Sequence, residues 1–197
     1  MTTAALAALM FAAAPAAAMT ACDTLASHPE DPDKVGPGVE PVADLKAAIA
    51  ACEAAVAANP NDRVQRYQLA RVLFYDKQTD KSLPHLQFAA DAGSQQAQFV
   101  LGYITDEGIQ GVKKDTCKVE DLWVKSARQG RFAAQVSYAN HVMTGRFGSC
   151  TQHADAAEIA GFLEAAKKQA GGFGYYAVVL ADVLARDFAA WRAANGK

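Results

Sequence analysis

One internal feature restricts this chain more than any other: the sequence resembles itself at an offset of 37 residues. The stretch from Ser94 to Gly108 aligns with Arg131 to Gly145, and Ala97/Ala134, Gln98/Gln135 and Gly108/Gly145 are identical. Gly93/Gly130 and Ala90/Ala127 keep the same offset, and Gln65 to Leu73 reads as an earlier copy. A unit of this length cannot bury an apolar face alone, so its copies must stack to build a core. Apolar residues recur at helical spacing from about residue 43 nearly to the end, and no convincing strand alternation appears. The spacing predicts helices over 43–58, 62–77, 81–92, 94–107, 115–129, 131–144, 153–170 and 173–194. The fold class expected is all-α: a solenoid of three to four antiparallel hairpins with a C-terminal capping helix.

The punctuation agrees. Asn59-Pro60-Asn61-Asp62 breaks the chain and offers Asp62 as a cap. Pro84 reads as a first-turn proline, and Gly93, Gly130 and Gly171 read as helix ends. Four prolines and two glycines between Ser27 and Pro41 exclude a helix there. The division expected is a signal peptide over 1–18, an extended arm over 19–42 and a repeat domain over 43–197.

Residues 1–18 carry no charge and end Ala-Ala-Ala, as the apolar core and cleavage site of a secretory signal do, although no Lys or Arg precedes them. They are too short and Ala-rich for a membrane span, so no transmembrane segment is expected in the mature chain. Export points to the periplasm. Met19-Thr20-Ala21-Cys22 is a poor match to a lipoprotein box, which makes a lipid anchor on Cys22 the weaker alternative. Behind a signal peptide, Cys22, Cys52, Cys117 and Cys150 read as disulfides. Four cysteines allow three pairings. Cys22–Cys52 and Cys117–Cys150 are favoured, because each would join neighbouring segments of a hairpin stack.

The second repeat carries Ala97, Leu101-Gly102, Gly108, Gly111-Val112, Asp115, Lys118, Trp123, Lys125, Ala127 and Gly130. In this it resembles the Sel1-like repeat family, a TPR-like group. It departs at Thr105, where Tyr is usual, at one extra residue between Gly108 and Gly111, and at Leu122 in the Trp position. The segment from Ala47 to Asp62 is similar to the opening of a TPR-like array. The resemblance implies that Ala70, Gly102 and Ala139 let hairpin helices lie close, with Leu69, Leu101 and Tyr138 filling the seam. It also implies a concave wall built by the first helix of each hairpin. One row there is Tyr67, Phe99 and Val136. A second is Arg71, Tyr103 and Asn140, with Phe74, Asp106 and Met143 beyond.

Catalytic signals are weak. His28, His85, His141 and His153 form no close ligand pair, Ser149 is not in a nucleophile elbow, and Gly171-Gly-Phe-Gly174 lacks a phosphate-loop Lys. No cofactor, metal or enzyme activity is expected. With 19 Lys and Arg against 21 Asp and Glu, there is no electrostatic reason to expect nucleic acid. The resemblance implies an adaptor that binds a protein or peptide partner, including one in a membrane or envelope complex, on its concave face. Two alternatives remain at this point: a permanent accessory subunit of an envelope complex, and a disulfide-containing β-lactam-binding hydrolase. Against the second stand the two cysteine pairs, where such proteins carry one per repeat, and the missing Ser-x-x-Lys.

Overall fold

The computed structural model describes residues 18–151 and 154–196. Residues 1–17 of the expected signal segment 1–18, and His153, lie outside the described residues. Among those described, nine α-helices and two short 3-10 turns are present and no strand.

The helices are α1 (Ala21–Ala26), α2 (Leu45–Ala58), α3 (Arg63–Tyr75), α4 (Thr79–Asp91), α5 (Gln95–Glu107), α6 (Thr116–Arg128), α7 (Phe132–Met143), α8 (Ala156–Gln169) and α9 (Tyr175–Asn195). Caps set most of their starts. Asp44, Asp62, Ser94, Asp115 and Asp155 each accept a backbone N–H of the following first turn. Helix α1 falls inside the stretch expected to be extended. Thr20 and Asp23 form a reciprocal capping box that satisfies its first N–H groups.

Two punctuation marks act differently from expectation. Helix α4 begins at Thr79, so Pro84 lies in its second turn, on the solvent side. Water there can serve the Asp80 carbonyl that Pro84 leaves without an N–H donor. Gly171 does not end α8. A 3-10 turn over Ala170–Phe173 continues the chain, and Gly174, at φ 93°, makes the break.

Helices α3/α4, α5/α6 and α7/α8 pack as successive hairpins, α1 and α2 close one end, and α9 closes the other. The core is correspondingly serial. Cys22, Cys52 and Leu73 belong to one buried cluster, Tyr67, Leu86 and Leu101 to the next, and Trp123, Tyr138 and Phe188 to the last. Cys22 is bonded to Cys52, tying α1 to α2, and Cys117 to Cys150, tying the start of α6 to the turn after α7.

The repeated glutamines have a structural use. Gln98 and Gln135 each donate from the side-chain amide to a carbonyl eight residues back, Ala90 O at 3.0 Å and Ala127 O at 3.3 Å. Each then accepts from the amide of a later glutamine, Gln129 at 2.8 Å and Gln169 at 2.9 Å. This polar ladder at the repeat period ties successive hairpins together, and because Gln98 and Gln135 are buried, leaving either unpaired costs about 1–3 kcal/mol.

Candidate functional site

Helices α3, α5 and α7 are the first helices of successive hairpins, the ones expected to build the concave wall, and residues 27–43 dock on α3 through Arg63 and Arg71. The Val39 N–H donates to the Ser27 carbonyl at 2.9 Å, closing this segment into a loop. The loop presses on its neighbours: a Cβ at Gly36 would stand 2.3 Å from the Asp23 carbonyl oxygen.

Arg71 holds this loop. Its guanidinium donates to the Ala26 and Ser27 carbonyls, both at 3.0 Å, to Val39 O at 2.8 Å and to the Tyr75 hydroxyl at 3.3 Å. Glu30 pairs with the buried Arg131 at 2.6 Å, and Asp33 with Arg63 at 3.0 Å. The Asp23 carboxylate accepts from Gln65 at 2.9 Å and Gln68 at 3.0 Å. Burial works against the Asp23 charge, but the hydrogen bonds from Thr20, Gln68 and Gln65 outweigh it and hold its pKa below the usual value. Arg71→Lys keeps the charge and loses the fork that serves three carbonyls. It is expected to cost about 1.5 kcal/mol of stability. Hydrogen exchange should show selective deprotection of the Val39 amide.

The predicted concave residues therefore separate. Tyr67 is buried, its hydroxyl accepting from the Gln96 amide at 3.1 Å. Arg71 is buried under the loop, and Asp106 and Val136 are also buried. Phe99, Phe74 and Met143 are half-buried. Tyr103, 47% exposed, and Asn140 reach solvent.

The open strip centres on Tyr103. Its ring stacks on Phe99 at 6.4 Å, Phe99 stacks on Trp123 at 6.0 Å, and Trp123 meets the edge of His141 at 4.8 Å. The Arg131 guanidinium lies over Phe99 at 5.5 Å. Tyr103 is thus backed by a rigid aromatic series running into the core. Under the N-terminal loop, His28, Arg71, Phe74, Tyr75 and Val100 help to line a cavity of about 80 Å³. That is far below the roughly 300 Å³ at which small-molecule pockets begin, and suits a single side chain. His28 and Tyr75 were not among the predicted site residues. His28 comes from the loop, which carries no periodic signal.

Asp106 joins α5 to α7. One carboxylate oxygen meets His141 Nε2 at 3.1 Å and the other accepts from Arg146 at 2.8 Å. Burial lowers the His141 pKa despite Asp106 beside it, and burial also lowers those of His28 and His85. The unfolded chain binds protons at histidine near 6.5, whereas the folded chain resists them. The stabilisation is complete above that pH and is lost as pH falls below it. A thermal melting series from about pH 7 to about pH 5 should show a falling Tm. His141→Gln, which retains a donor toward Asp106, should flatten part of that slope. Among the described residues no three His, Cys, Asp or Glu side chains gather as a metal site.

The sequence matches no protein-family model, and no curated protein matches it. Among solved structures, the chain is similar to a Sel1 repeat protein from Oxalobacter formigenes, with 22% identity and a TM-score of 0.54. The match covers 68% of this chain and 96% of that one. The chain has the Sel1-like repeat fold. A second similar structure is c5321, a protective antigen present in uropathogenic Escherichia coli strains displaying an SLR fold. It has 21% identity and a TM-score of 0.49, over 77% of this chain and 34% of that one.

The Sel1-like fold explains the motif residues. A Cβ on Gly102 would sit 2.3 Å from Trp123 Nε1, so only glycine lets α6 lie against α5. The Trp123 indole N–H donates to Phe99 O at 3.1 Å, locking the two helices together. The N-terminal loop across the Sel1-like wall follows from Arg71, Arg63 and Arg131, whose partners lie 30 or more residues away in sequence.

Proposed function

We propose that this protein is an exported interaction scaffold. It receives an extended or helical segment of a protein partner on the concave strip around Tyr103, Asn140, Phe74 and Met143. The observation that carries the reading is Tyr103: a large, half-exposed aromatic side chain, preorganised by stacking on Phe99, on the same helix as Val100 and Ile104, which help to line a side-chain-sized cavity. Rigid aromatic anchors next to pockets are what interface hot spots use. Tyr67 and Arg71, from the sequence-predicted set, support the wall instead of meeting the partner, because Tyr67 is packed in the core and the N-terminal loop covers Arg71. Asp106 likewise positions Arg146 at the edge of the strip.

One further observation favours export. Both cysteine pairs are bonded, and disulfides persist in oxidising compartments. No described helix is long and apolar enough to cross a membrane. The periplasm is the compartment proposed.

Site-directed photocrosslinking tests the reading. A photoreactive residue at position 103 should give a discrete protein adduct in the native envelope. The same residue at Lys125, on the outer face of α6, should give none. Equal adducts from both positions, or none at 103, would overturn the concave assignment.

A further inference from the structure

Among the described residues α9 is the last helix of the array, in the place of the first helix of a hairpin. Its buried face, Ala181, Leu184 and Phe188, packs on α7 and α8. The opposite face is where the second helix of another hairpin would lie. A solenoid end ordinarily turns a polar face outward. Here Tyr175 (76% exposed), Tyr176 (85%), Val178, Val179, Leu180 and Val183 all face solvent within nine consecutive positions. They make up six of the eleven exposed large apolar side chains among the described residues.

The face is self-complementary. At about 100° per residue, Tyr175 and Arg186 fall on one flank of the outer stripe, and Tyr176 and Asp187 on the other. Val179 and Val183 lie between them. An antiparallel copy of α9 centred near Ala181 would therefore bring Tyr175 level with Arg186 of the second copy, and Tyr176 level with its Asp187. The valines would meet at the middle. Arg186 and Asp187 are exposed and paired to each other at 2.8 Å, so they can exchange partners without uncovering a buried charge. A guanidinium over a tyrosine ring and a phenol donating to a carboxylate are both favourable contacts. Tyr175, Tyr176, Val179 and Val183, with Arg186 and Asp187 at their flanks, together expose roughly 700 Å² per chain, close to the roughly 800 Å² that each partner contributes to a standard specific interface.

We infer that this protein forms a two-fold dimer through the outer face of α9. The two arrays then join end to end, and each keeps its own concave strip open. Such a dimer presents two binding strips at a fixed separation, which raises apparent affinity for a repetitive or dimeric partner without any new contact at either strip. The inference does not depend on what the concave strip binds.

Size-exclusion chromatography with light scattering on the full chain, over a micromolar concentration range, provides the test. The wild type should run at twice the mass of one chain. Val179→Asp should weaken association at least 100-fold, a change of about 2.7 kcal/mol, and Tyr176→Asp should weaken it by bringing like charges level with Asp187. Circular dichroism and Tm should not change, since both positions are exposed. Adding Asp187→Lys to Tyr176→Asp should restore the dimer. A wild type that stays monomeric throughout overturns the inference. So does a dimer indifferent to Val179→Asp, and failure of the charge-swapped double variant to recover overturns the antiparallel pairing.

Discussion

Replacing Cys22 and Cys52 by alanine should lower stability by about 3.5 kcal/mol, from the loop-closure entropy of a 30-residue separation released in the unfolded chain. Two sulfurs leave fully buried sites, so a packing loss adds to the entropic one. The consequence is local as well as global. Helix α1 has six residues and cannot persist alone. Its remaining ties include the packing of Ala26 and the hydrogen bonds from Gln65, Gln68 and Arg71 to Asp23, Ser27 and the Ala26 carbonyl. The double variant should therefore lose protection in residues 20–43 before the repeats melt, and chemical denaturation should show a lowered midpoint. The Cys117–Cys150 bond closes a similar separation, 33 residues, but its removal should leave the N-terminal loop in place.

Gly102→Ala is the second large effect, and its sign separates two physical terms. Helix propensity alone favours alanine over glycine by about 1 kcal/mol. Against this, the new methyl would meet the Trp123 ring at 2.3–2.5 Å, and that ring is pinned by stacking on Phe99 and by its hydrogen bond to Phe99 O. Overpacking of this kind costs about 3 kcal/mol, so a net loss of about 2 kcal/mol is expected in urea unfolding. A Trp123→Leu background should remove most of the penalty. The non-additivity in that double-mutant cycle identifies the clash as the cause. A stabilised Gly102→Ala protein would show that α5 and α6 are not packed as described.

The helices were legible because their signals are local. Caps at Asp62, Ser94 and Asp115 and the glycines at 93 and 130 stand in the sequence at the places where helices begin and end. The 37-residue offset carried the stacking, since Gln98 and Gln135 repeat the same hydrogen bonds one unit apart. Pro84 misled by one turn, because an exposed proline deeper in a helix leaves no mark in the pattern. The candidate site was legible only in part. Tyr103 and Asn140 followed from the repeat and do reach solvent, while Arg71 and Tyr67 obeyed the same arithmetic and are covered. Tyr67 is packed between hairpins, and what covers Arg71 is an aperiodic loop rich in proline and glycine. Its docking depends on single long-range pairs such as Arg131 with Glu30, which no repeat pattern announces. The apolar outer face of α9 was hidden for a related reason: helical spacing marks apolar residues without showing which of them find a neighbour.

The central claim is that a protein partner is held on the concave strip by Tyr103. The most direct measurement is the dissociation constant of the partner recovered through position 103, compared between wild type and Tyr103→Ala. A loss of about 30-fold with unchanged Tm is the predicted result, as expected for a hot-spot aromatic worth about 2 kcal/mol. A dissociation constant within about threefold of wild type, a difference of under 1 kcal/mol, would contradict the account.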